Sequence, residues 1–162
     1  MPVASSAVLC AALLLMISMG VRQSTGLFIS PINTTTGLGI VSLSFALAIG
    51  QFVWGAIHPI AGAVADRYGP GRVLAAGMVV LALGCALTPM MDGTAGMVIS
   101  LGILSAAGSG AGSFSVLIGA ATRRLDAARR GQAAGVINAG GSLGQFVFAP
   151  VLQKLIVTVG WM

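Results

Sequence analysis

The chain has 162 residues, of which 57% are hydrophobic and only 7% are charged, with a formal net charge of +5. Soluble domains carry about 25% charged residues, so this chain could not cover a globular surface with polar groups, and disordered chains are poor in apolar residues. The composition therefore excludes a soluble or a disordered protein and indicates an all-α integral membrane protein.

Five apolar stretches are long enough to cross a bilayer, which takes about 20 mostly apolar residues. The connections between them are short, as expected for adjacent antiparallel helices. The sequence predicts one transmembrane bundle over residues 1–162, embedded in the lipid bilayer and without a separate domain. Its helices are expected at approximately 8–30, 38–65, 73–91, 94–121 and 132–159.

Positive charge falls in two connections that share one side of the predicted bundle. Six of the eight basic residues lie there: Arg67, Arg72, Arg123, Arg124, Arg129 and Arg130. Cytoplasmic loops of membrane proteins are enriched in Lys and Arg. The amino terminus and both arginine-rich loops are therefore expected to be cytoplasmic, in a multi-pass protein of the inner (plasma) membrane. Five helices then place the carboxy terminus outside, directly after Trp161 and Met162, and indicate that the sequence is a shortened piece.

Polar residues recur on one face of four of the five segments. In the first, Ser18, Arg22 and Thr25 are spaced four and three apart and share a face. In the second, Gln51 and His58 lie seven apart. The rows of the fourth and fifth segments are Ser105, Ser109 and Ser113, and Asn138, Ser142 and Gln145. The third segment carries only the weakly polar Cys85 and Thr88, so it is expected to face lipid all round, outside a cavity lined by the others. Packing through interhelical hydrogen bonds, worth about 0.6 kcal/mol each, is an equal alternative for single Ser, Asn or Gln residues. The predicted substrate-path residues are Arg22, Thr25, Gln51, Ser109, Asn138, Ser142 and Gln145.

Arg22 lies well inside the first segment, where a central arginine costs about 2.5–3.5 kcal/mol. The three acidic residues, Asp66, Asp92 and Asp126, all lie at segment ends and not at its depth. A guanidinium fork suits a carboxylate, so the sequence predicts that Arg22 lines a substrate path and selects for organic anions. Two alternatives stay open: Arg22 snorkels to the outer surface, or it pairs with an acid in a longer protein.

Little else in the sequence suggests chemistry. The two cysteines, Cys10 and Cys85, sit inside apolar segments and predict neither a disulfide nor a metal site. His58, beside Pro59, could titrate, but a structural role is favoured for a lone histidine near a helix end. No basic face with base-stacking aromatics is present, so no nucleic-acid partner is predicted. No catalytic residue and no cofactor are predicted, and the protein is not expected to be an enzyme.

The most informative motif joins the second segment to the third and reads Gly-Ala-Val-Ala-Asp-Arg-Tyr-Gly-Pro-Gly-Arg. Gly69 and Gly71 permit a tight reversal, and Asp66 can hold a neighbouring arginine. The string resembles the signature loop of the major facilitator superfamily, which has Gly, three residues, Asp, Arg, one residue, Gly and then a basic residue. The matching residues are Gly62, Asp66, Arg67, Gly69 and Arg72.

Within that superfamily, residues 20–31 resemble the first-helix signature of the oxalate/formate antiporter and monocarboxylate transporter branch. The resemblance implies a transporter of twelve helices in two six-helix halves, which moves a small organic anion such as a monocarboxylate by alternating access. This chain would supply five helices of the amino-terminal half, with Asp66 as a latch against the missing carboxy-terminal half. Such a fragment is expected to be inactive alone.

Two other functions remain open from the residues. A half-size membrane protein could oligomerise into a carrier, although five helices with the termini on opposite sides do not favour this. A non-transporting membrane subunit could pack on a partner through its glycine-rich fourth and fifth segments.

Overall fold

A computed structural model describes residues 2–122 and 125–160. In this part of the chain, five helices are long and apolar enough to cross a membrane. These spans, numbered in chain order, are Ser6–Thr36, Ile40–Tyr68, Pro70–Met90, Thr94–Ala121 and Arg129–Val159. The described ranges contain helices and no strand, which confirms the predicted all-α membrane fold. The predictions that concern Arg123, Arg124, Trp161 and Met162 lie outside the described residues.

The fourth span has the same bounds as the expected segment, and the other four spans are longer than expected. The first span ends at Thr36 rather than near residue 30, and the second ends at Tyr68 rather than near residue 65. The third begins at Pro70, and the helix of the fifth begins at Ala127. In each case the helix continues into polar or charged residues that the sequence pattern assigned to connections.

The first span is not a uniform α-helix. It consists of an α-helix at Pro2–Ser24, a 3₁₀ turn at Thr25–Phe28 and a second α-helix at Ile29–Thr36. The Asn33 side-chain Oδ1 accepts a hydrogen bond of 2.9 Å from the backbone N–H of Gly39, which closes the connection to the second span. The tighter turn lies inside a candidate membrane span, and in a bilayer an irregular backbone is tolerated only against protein or a cavity.

The fourth span is also irregular. A short α-helix at Thr94–Met97 leads into a π-helical stretch at Val98–Ser105, and an α-helix follows at Ala106–Ala111. The chain then breaks at Gly112 and resumes as the helix Phe114–Thr122. Because the α-helix ends at Gly112, the fourfold spacing of Ser105, Ser109 and Ser113 does not describe one continuous row.

The second and third spans meet at a single residue. The second span ends at Tyr68, the third begins at Pro70, and Gly69 between them has φ +92° and ψ 140°. This backbone conformation is open to glycine and strained for other residues, and proline is favoured at the first position of a helix. Gly71 lies within the third span and is not among the residues with positive φ, so the reversal requires Gly69 alone.

Two buried clusters show that the spans run alternately up and down. One combines the amino-terminal parts of the odd spans with the carboxy-terminal parts of the even spans. Its members include Leu15, Ala65, Val73, Leu117 and Ile137. The second cluster lies at the opposite ends of the first, second and fourth spans and includes Ile32, Leu43, Ala46 and Met97. The connection at Gly69 and the connection before the fifth span are therefore at the same end of the bundle.

The first and fifth spans are in close contact through glycines. A Cβ atom added at Gly140 would lie 2.6 Å from the carbonyl oxygen of Ala12. A Cβ atom at Gly144 would overlap the Met16 carbonyl group. Small residues allow this approach of two backbones, which maximises dispersion contacts in a membrane.

The third span does not face lipid all round, so that prediction is wrong. It buries Val73, Leu74, Gly77, Leu81 and Gly84 on one face. Two of these, seven residues apart, contact the fourth span: a Cβ at Gly77 would lie 2.7 Å from the Ala111 Cβ, and one at Gly84 would lie 2.6 Å from the Ser105 backbone nitrogen. The error arose because a packed face in a membrane is as apolar as a lipid-facing one, so polarity does not reveal it.

Candidate functional site

A cavity of about 510 Å³ lies between the spans, and all five contribute to its wall. Most of the wall is apolar, and none of the lining residues in the described ranges is acidic. Its polar lining residues are Arg22, Gln23, Thr25, Gln51, Thr88, Ser105 and Ser109. The cavity adjoins the second buried cluster, since Phe28, Ile32 and Leu101 belong to both.

The helix irregularities of the first and fourth spans border this cavity. The 3₁₀ turn supplies Thr25, Gly26 and Phe28, and the π-helical stretch supplies Leu101 and Ser105. Departures from α-helix in membrane proteins are tolerated where they line a cavity, and they frequently mark functional sites. Both departures therefore point to this cavity as the functional region of the bundle.

Arg22 is half-buried in the cavity wall, and its neighbours are uncharged. Its Nη2 donates a hydrogen bond to the side-chain Oε1 of Gln51 in the second span. Its guanidinium carbon lies 4.3 Å from the centroid of the Trp54 ring, a cation–π contact. An amide and an aromatic face hold the cation, and neither contact neutralises its charge.

The second span approaches the fourth closely beside Gln51. A Cβ at Gly50 would lie 3.4 Å from the Cα of Gly102, and one at Gly102 would lie 2.8 Å from the carbonyl oxygen of Ala46. These contacts fix the axial position of the second span relative to the fourth. Gln51 is the next residue after that contact, so the backbone that carries its amide is held in place.

Trp54 connects Arg22 to His58. The rings of Trp54 and His58 have centroids 4.3 Å apart and planes at 69°, an edge-to-face arrangement. Among the described residues, neither the Trp54 Nε1 nor the His58 Nε2, both buried atoms, has a hydrogen-bond partner. His58 does not line the cavity, and the structural role favoured for it stays a prediction.

The hydroxyl groups of Thr25 and Ser109 donate to their own helices. Thr25 Oγ1 donates to the carbonyl oxygen of Val21 at 3.2 Å, and Ser109 Oγ donates to that of Ala106 at 3.1 Å. Each oxygen retains acceptor capacity towards the cavity, which both residues line. Ser113, which the sequence placed in the same row, follows the break in the fourth span, is buried and does not line the cavity.

The polar row of the fifth span lies elsewhere. Asn138, Ser142 and Gln145 are exposed and do not line this cavity. The fifth span contributes only Leu152 to the wall that the described residues form. The structure thus brings four of the seven predicted path residues together and leaves three on an outer face, where their role stays a prediction.

The cavity also has lining residues that the sequence pattern did not assign to it. Cys85 and Thr88 come from the third span, which was expected to lie outside. The spacing of Gly77 and Gly84 was the available signal, because two glycines seven residues apart allow one helix face to approach a neighbour. Cys85 and Thr88 come one and four residues after Gly84, which makes this contact.

The signature residues lie where the second span ends and the third begins. Asp66, Arg67 and Arg72 are exposed there, and the Arg67 guanidinium carbon lies 5.4 Å from the centroid of the Tyr68 ring. Gly62 is half-buried one turn before Asp66. This group borders the first buried cluster, at the opposite end of the bundle from the cluster that adjoins the cavity.

Comparison with known proteins gives a consistent result. The sequence profile of the Major Facilitator Superfamily matches residues 9–162. The chain is 31% identical over 144 residues to the probable sulfoacetate transporter SauU of Cupriavidus necator, an alignment that covers 87% of this chain and 30% of that protein.

Two further relatives are transporters as well. The chain is 26% identical over 153 residues to the oxalate:formate antiporter of Oxalobacter formigenes, covering 94% of this chain and 36% of that protein. It is 29% identical over 142 residues to monocarboxylate transporter 13 of Rattus norvegicus, covering 88% of this chain and 33% of that protein. The chain spans about a third of the length of the curated relatives that it matches.

Proposed function

Because the chain belongs to the Major Facilitator Superfamily, we propose that it forms the amino-terminal part of a secondary transporter that moves a small organic anion by alternating access. The relatives confirm the predicted superfamily and its oxalate/formate and monocarboxylate branch. They also indicate a multi-pass membrane transporter and not an enzyme. The substrate class, the mechanism and the orientation are the proposal.

The observation that carries the proposal is the environment of Arg22. The guanidinium group lines a cavity of about 510 Å³ and has an amide and an aromatic ring as its neighbours. A half-buried cation without a carboxylate partner attracts an anion, and the guanidinium fork binds carboxylates through two hydrogen bonds. The apolar remainder of the wall suits the carbon part of a small organic anion.

The relatives support the same substrate class. Sulfoacetate, oxalate, formate and monocarboxylates, which their names contain, are all organic anions. The names differ in the number and type of acidic groups, so they support the class and not one compound.

The exposed polar row of the fifth span is available to line a substrate path together with a second half of the transporter. Transporters of this kind bind substrate near the bilayer midplane between two structurally related halves. We assign Asn138, Ser142 and Gln145 to the part of the path that a carboxy-terminal half would close, and Thr25, Gln51 and Ser109 to the part already enclosed with Arg22. The chain alone is then expected to be inactive.

The proposed orientation follows from charge. The exposed Arg67, Arg72, Arg129 and Arg130 are at the end of the bundle where the first buried cluster lies. Since cytoplasmic loops are rich in arginine, we assign this end of the bundle, together with the amino terminus, to the cytoplasmic side of the plasma membrane. In this orientation we expect Asp66 to act as a cytoplasmic latch towards a carboxy-terminal half.

A transport assay tests the proposal. The complete reading frame that contains this chain is reconstituted into proteoliposomes, and counterflow of labelled oxalate, formate and sulfoacetate is measured. Arg22→Gln is expected to raise the KM for the transported anion about 10- to 100-fold, since a hydrogen bond to a charged group contributes about 1.5–3 kcal/mol. Lys154→Gln, which removes an exposed cation of the fifth span outside the cavity, is the matched control and should leave the KM unchanged.

Two results would contradict the proposal. Flux of cations or neutral solutes without flux of any of the three anions would exclude the substrate class. Normal anion flux by Arg22→Gln would exclude the role of Arg22. The 162-residue chain is assayed in parallel, and flux by this chain alone would favour the oligomerising alternative.

A further inference from the structure

The orientation of the Gln51 amide is set by its contact with Arg22. Its Oε1 accepts the hydrogen bond from the Arg22 Nη2, so the –NH₂ group is the other polar end of the side chain. In the described part of the chain no acceptor engages this nitrogen, and Gln51 is exposed in the cavity wall. The cavity therefore presents two N–H donors of the amide beside the remaining donors of the guanidinium group.

The second span holds this arrangement through two side chains. Gln51 and Trp54 are three residues apart on one face of the helix, and both contact the same guanidinium group. The amide binds one of its nitrogens and the indole covers its plane, which restricts its rotation. The close contact of Gly50 with Gly102 fixes the backbone from which both side chains project.

The uncharged nature of Gln51 matters as much as its position. A carboxylate here would orient Arg22 equally well, but it would cancel the charge and occupy the fork that an anion needs. An apolar side chain would leave the charge intact and provide neither the acceptor for Arg22 nor the free donors. An amide alone combines a neutral acceptor for the arginine with two donors for a ligand.

We propose that Gln51 is the specificity-determining partner of Arg22, and that it donates a hydrogen bond from Nε2 to the same carboxylate or sulfonate group that the guanidinium binds. The oxygens of the anion bridge the first and second spans. This inference rests on the proposed function and assigns to Gln51 a role distinct from that of the other path residues.

Three variants in the reconstituted reading frame test the inference, with the KM and the maximal rate of oxalate, formate and sulfoacetate counterflow as readouts. Gln51→Glu is expected to raise the KM more than about 10-fold, because an ion pair with Arg22 removes the free charge. Gln51→Met, which has a similar volume, should raise it about 2- to 10-fold through the lost hydrogen bonds. Gln153→Glu makes the same charge change at an exposed site outside the cavity and should change the KM less than about 2-fold.

A structural role is distinguished by stability and by the maximal rate. Gln51→Glu should unfold at the same temperature as the wild type or higher, because its carboxylate pairs with Arg22, and its maximal rate should be retained. A role in folding alone would lower the yield and the maximal rate and leave the KM unchanged.

The outcomes separate the inference from the proposed function. If Arg22→Gln impairs transport but Gln51→Glu and Gln51→Met have the KM of the wild type, the inference is overturned and the anion site of Arg22 stands. If Gln51→Met alone matches the wild type, the hydrogen bond from Gln51 to the ligand is excluded. If the wild type carries none of the three anions, both are overturned.

Discussion

The amino-terminal half of the first span packs against the fifth span, whereas its carboxy-terminal half borders the cavity. In the first half Leu15 is only 2% exposed, and the Met16 backbone contacts Gly144. In the second half Arg22 and Thr25 line an open volume of about 510 Å³, and the helix tightens into a 3₁₀ turn. One helix can serve both purposes because the residues opposite it change: glycines close the gap in one half, and a cation with polar neighbours keeps it open in the other.

The largest effect is expected at the glycine contact. Gly144→Leu places a side chain against the Met16 backbone, which cannot move aside easily, and overpacking of this kind costs about 1–3 kcal/mol or more. We expect loss of monodisperse protein in detergent and a lower unfolding temperature. Gly135→Leu in the same helix is the control, because among the described atoms nothing lies within 4 Å of a Cβ added there. Equal stability of the two variants would show that the first and fifth spans are not in this contact.

The next prediction compares Cys10, in the packed half of the first span, with Cys85 of the third span, in the cavity wall. Both cysteines are exposed, but Cys85 lines the cavity, whereas Cys10 lies on the first span outside the cavity and would face lipid. A charged, water-soluble thiol reagent reacts with thiolates that water reaches, so Cys85 should be labelled about 10-fold faster or more than Cys10 in proteoliposomes. The single-cysteine variants Cys10→Ser and Cys85→Ser assign each rate. Equal rates would contradict a water-filled cavity.

A smaller effect is expected from the aromatic support of Arg22. Trp54→Leu removes the ring from the guanidinium plane, and a cation–π contact contributes about 0.5–1 kcal/mol at an exposed site and about 2 kcal/mol when desolvated. The KM for the transported anion should therefore rise about 2- to 5-fold, while Trp54→Phe should retain most of the affinity. A KM unchanged in Trp54→Leu would mean that the hydrogen bond to Gln51 suffices to hold the arginine.

The smallest effect distinguishes two buried serines of the first span. Ser18 Oγ donates to the Leu15 carbonyl oxygen at 3.3 Å, whereas Ser24 Oγ, at the start of the 3₁₀ turn, is buried with no hydrogen-bond partner among the described atoms. Ser18→Ala should lower the free energy of unfolding by about 0.5–1 kcal/mol, and Ser24→Ala should leave it unchanged or raise it by up to about 1 kcal/mol. Equal losses in thermal unfolding measurements would contradict this difference between the two halves.

Much of the fold was predictable because the bilayer restricts the possibilities. Once 20-residue apolar stretches must be helices with internally satisfied backbones, their number and approximate bounds follow from composition. The first span was predicted too short because Pro31 and the threonines after it look like a connection. Pro31 lies in the first turn of the helix Ile29–Thr36, where its missing N–H is not needed, and the Thr34 hydroxyl donates to the Ser30 carbonyl oxygen at 2.9 Å.

The site was predictable only in part. Helical periodicity identified the faces that carry Arg22 and Gln51. It does not give the axial offset between two neighbouring helices, so the hydrogen bond between these two side chains could not be derived. The helix break at Gly112 in the fourth span has no clear sequence signal, and it separates Ser113 from the predicted row of serines. The third span was misplaced because its packed face is apolar, which leaves Cys85 and Thr88 without a polar stripe to identify them.

The one-residue connection at Gly69 has a mechanical consequence. The two helices, of about 20 residues or more each, are joined by a single residue, so neither joined end can move without moving the other. The second span carries Gln51 and the third carries Cys85, and both face the cavity. A displacement at the arginine-rich end of the bundle would therefore move the second and third spans, and with them two walls of the cavity, together about Gly69.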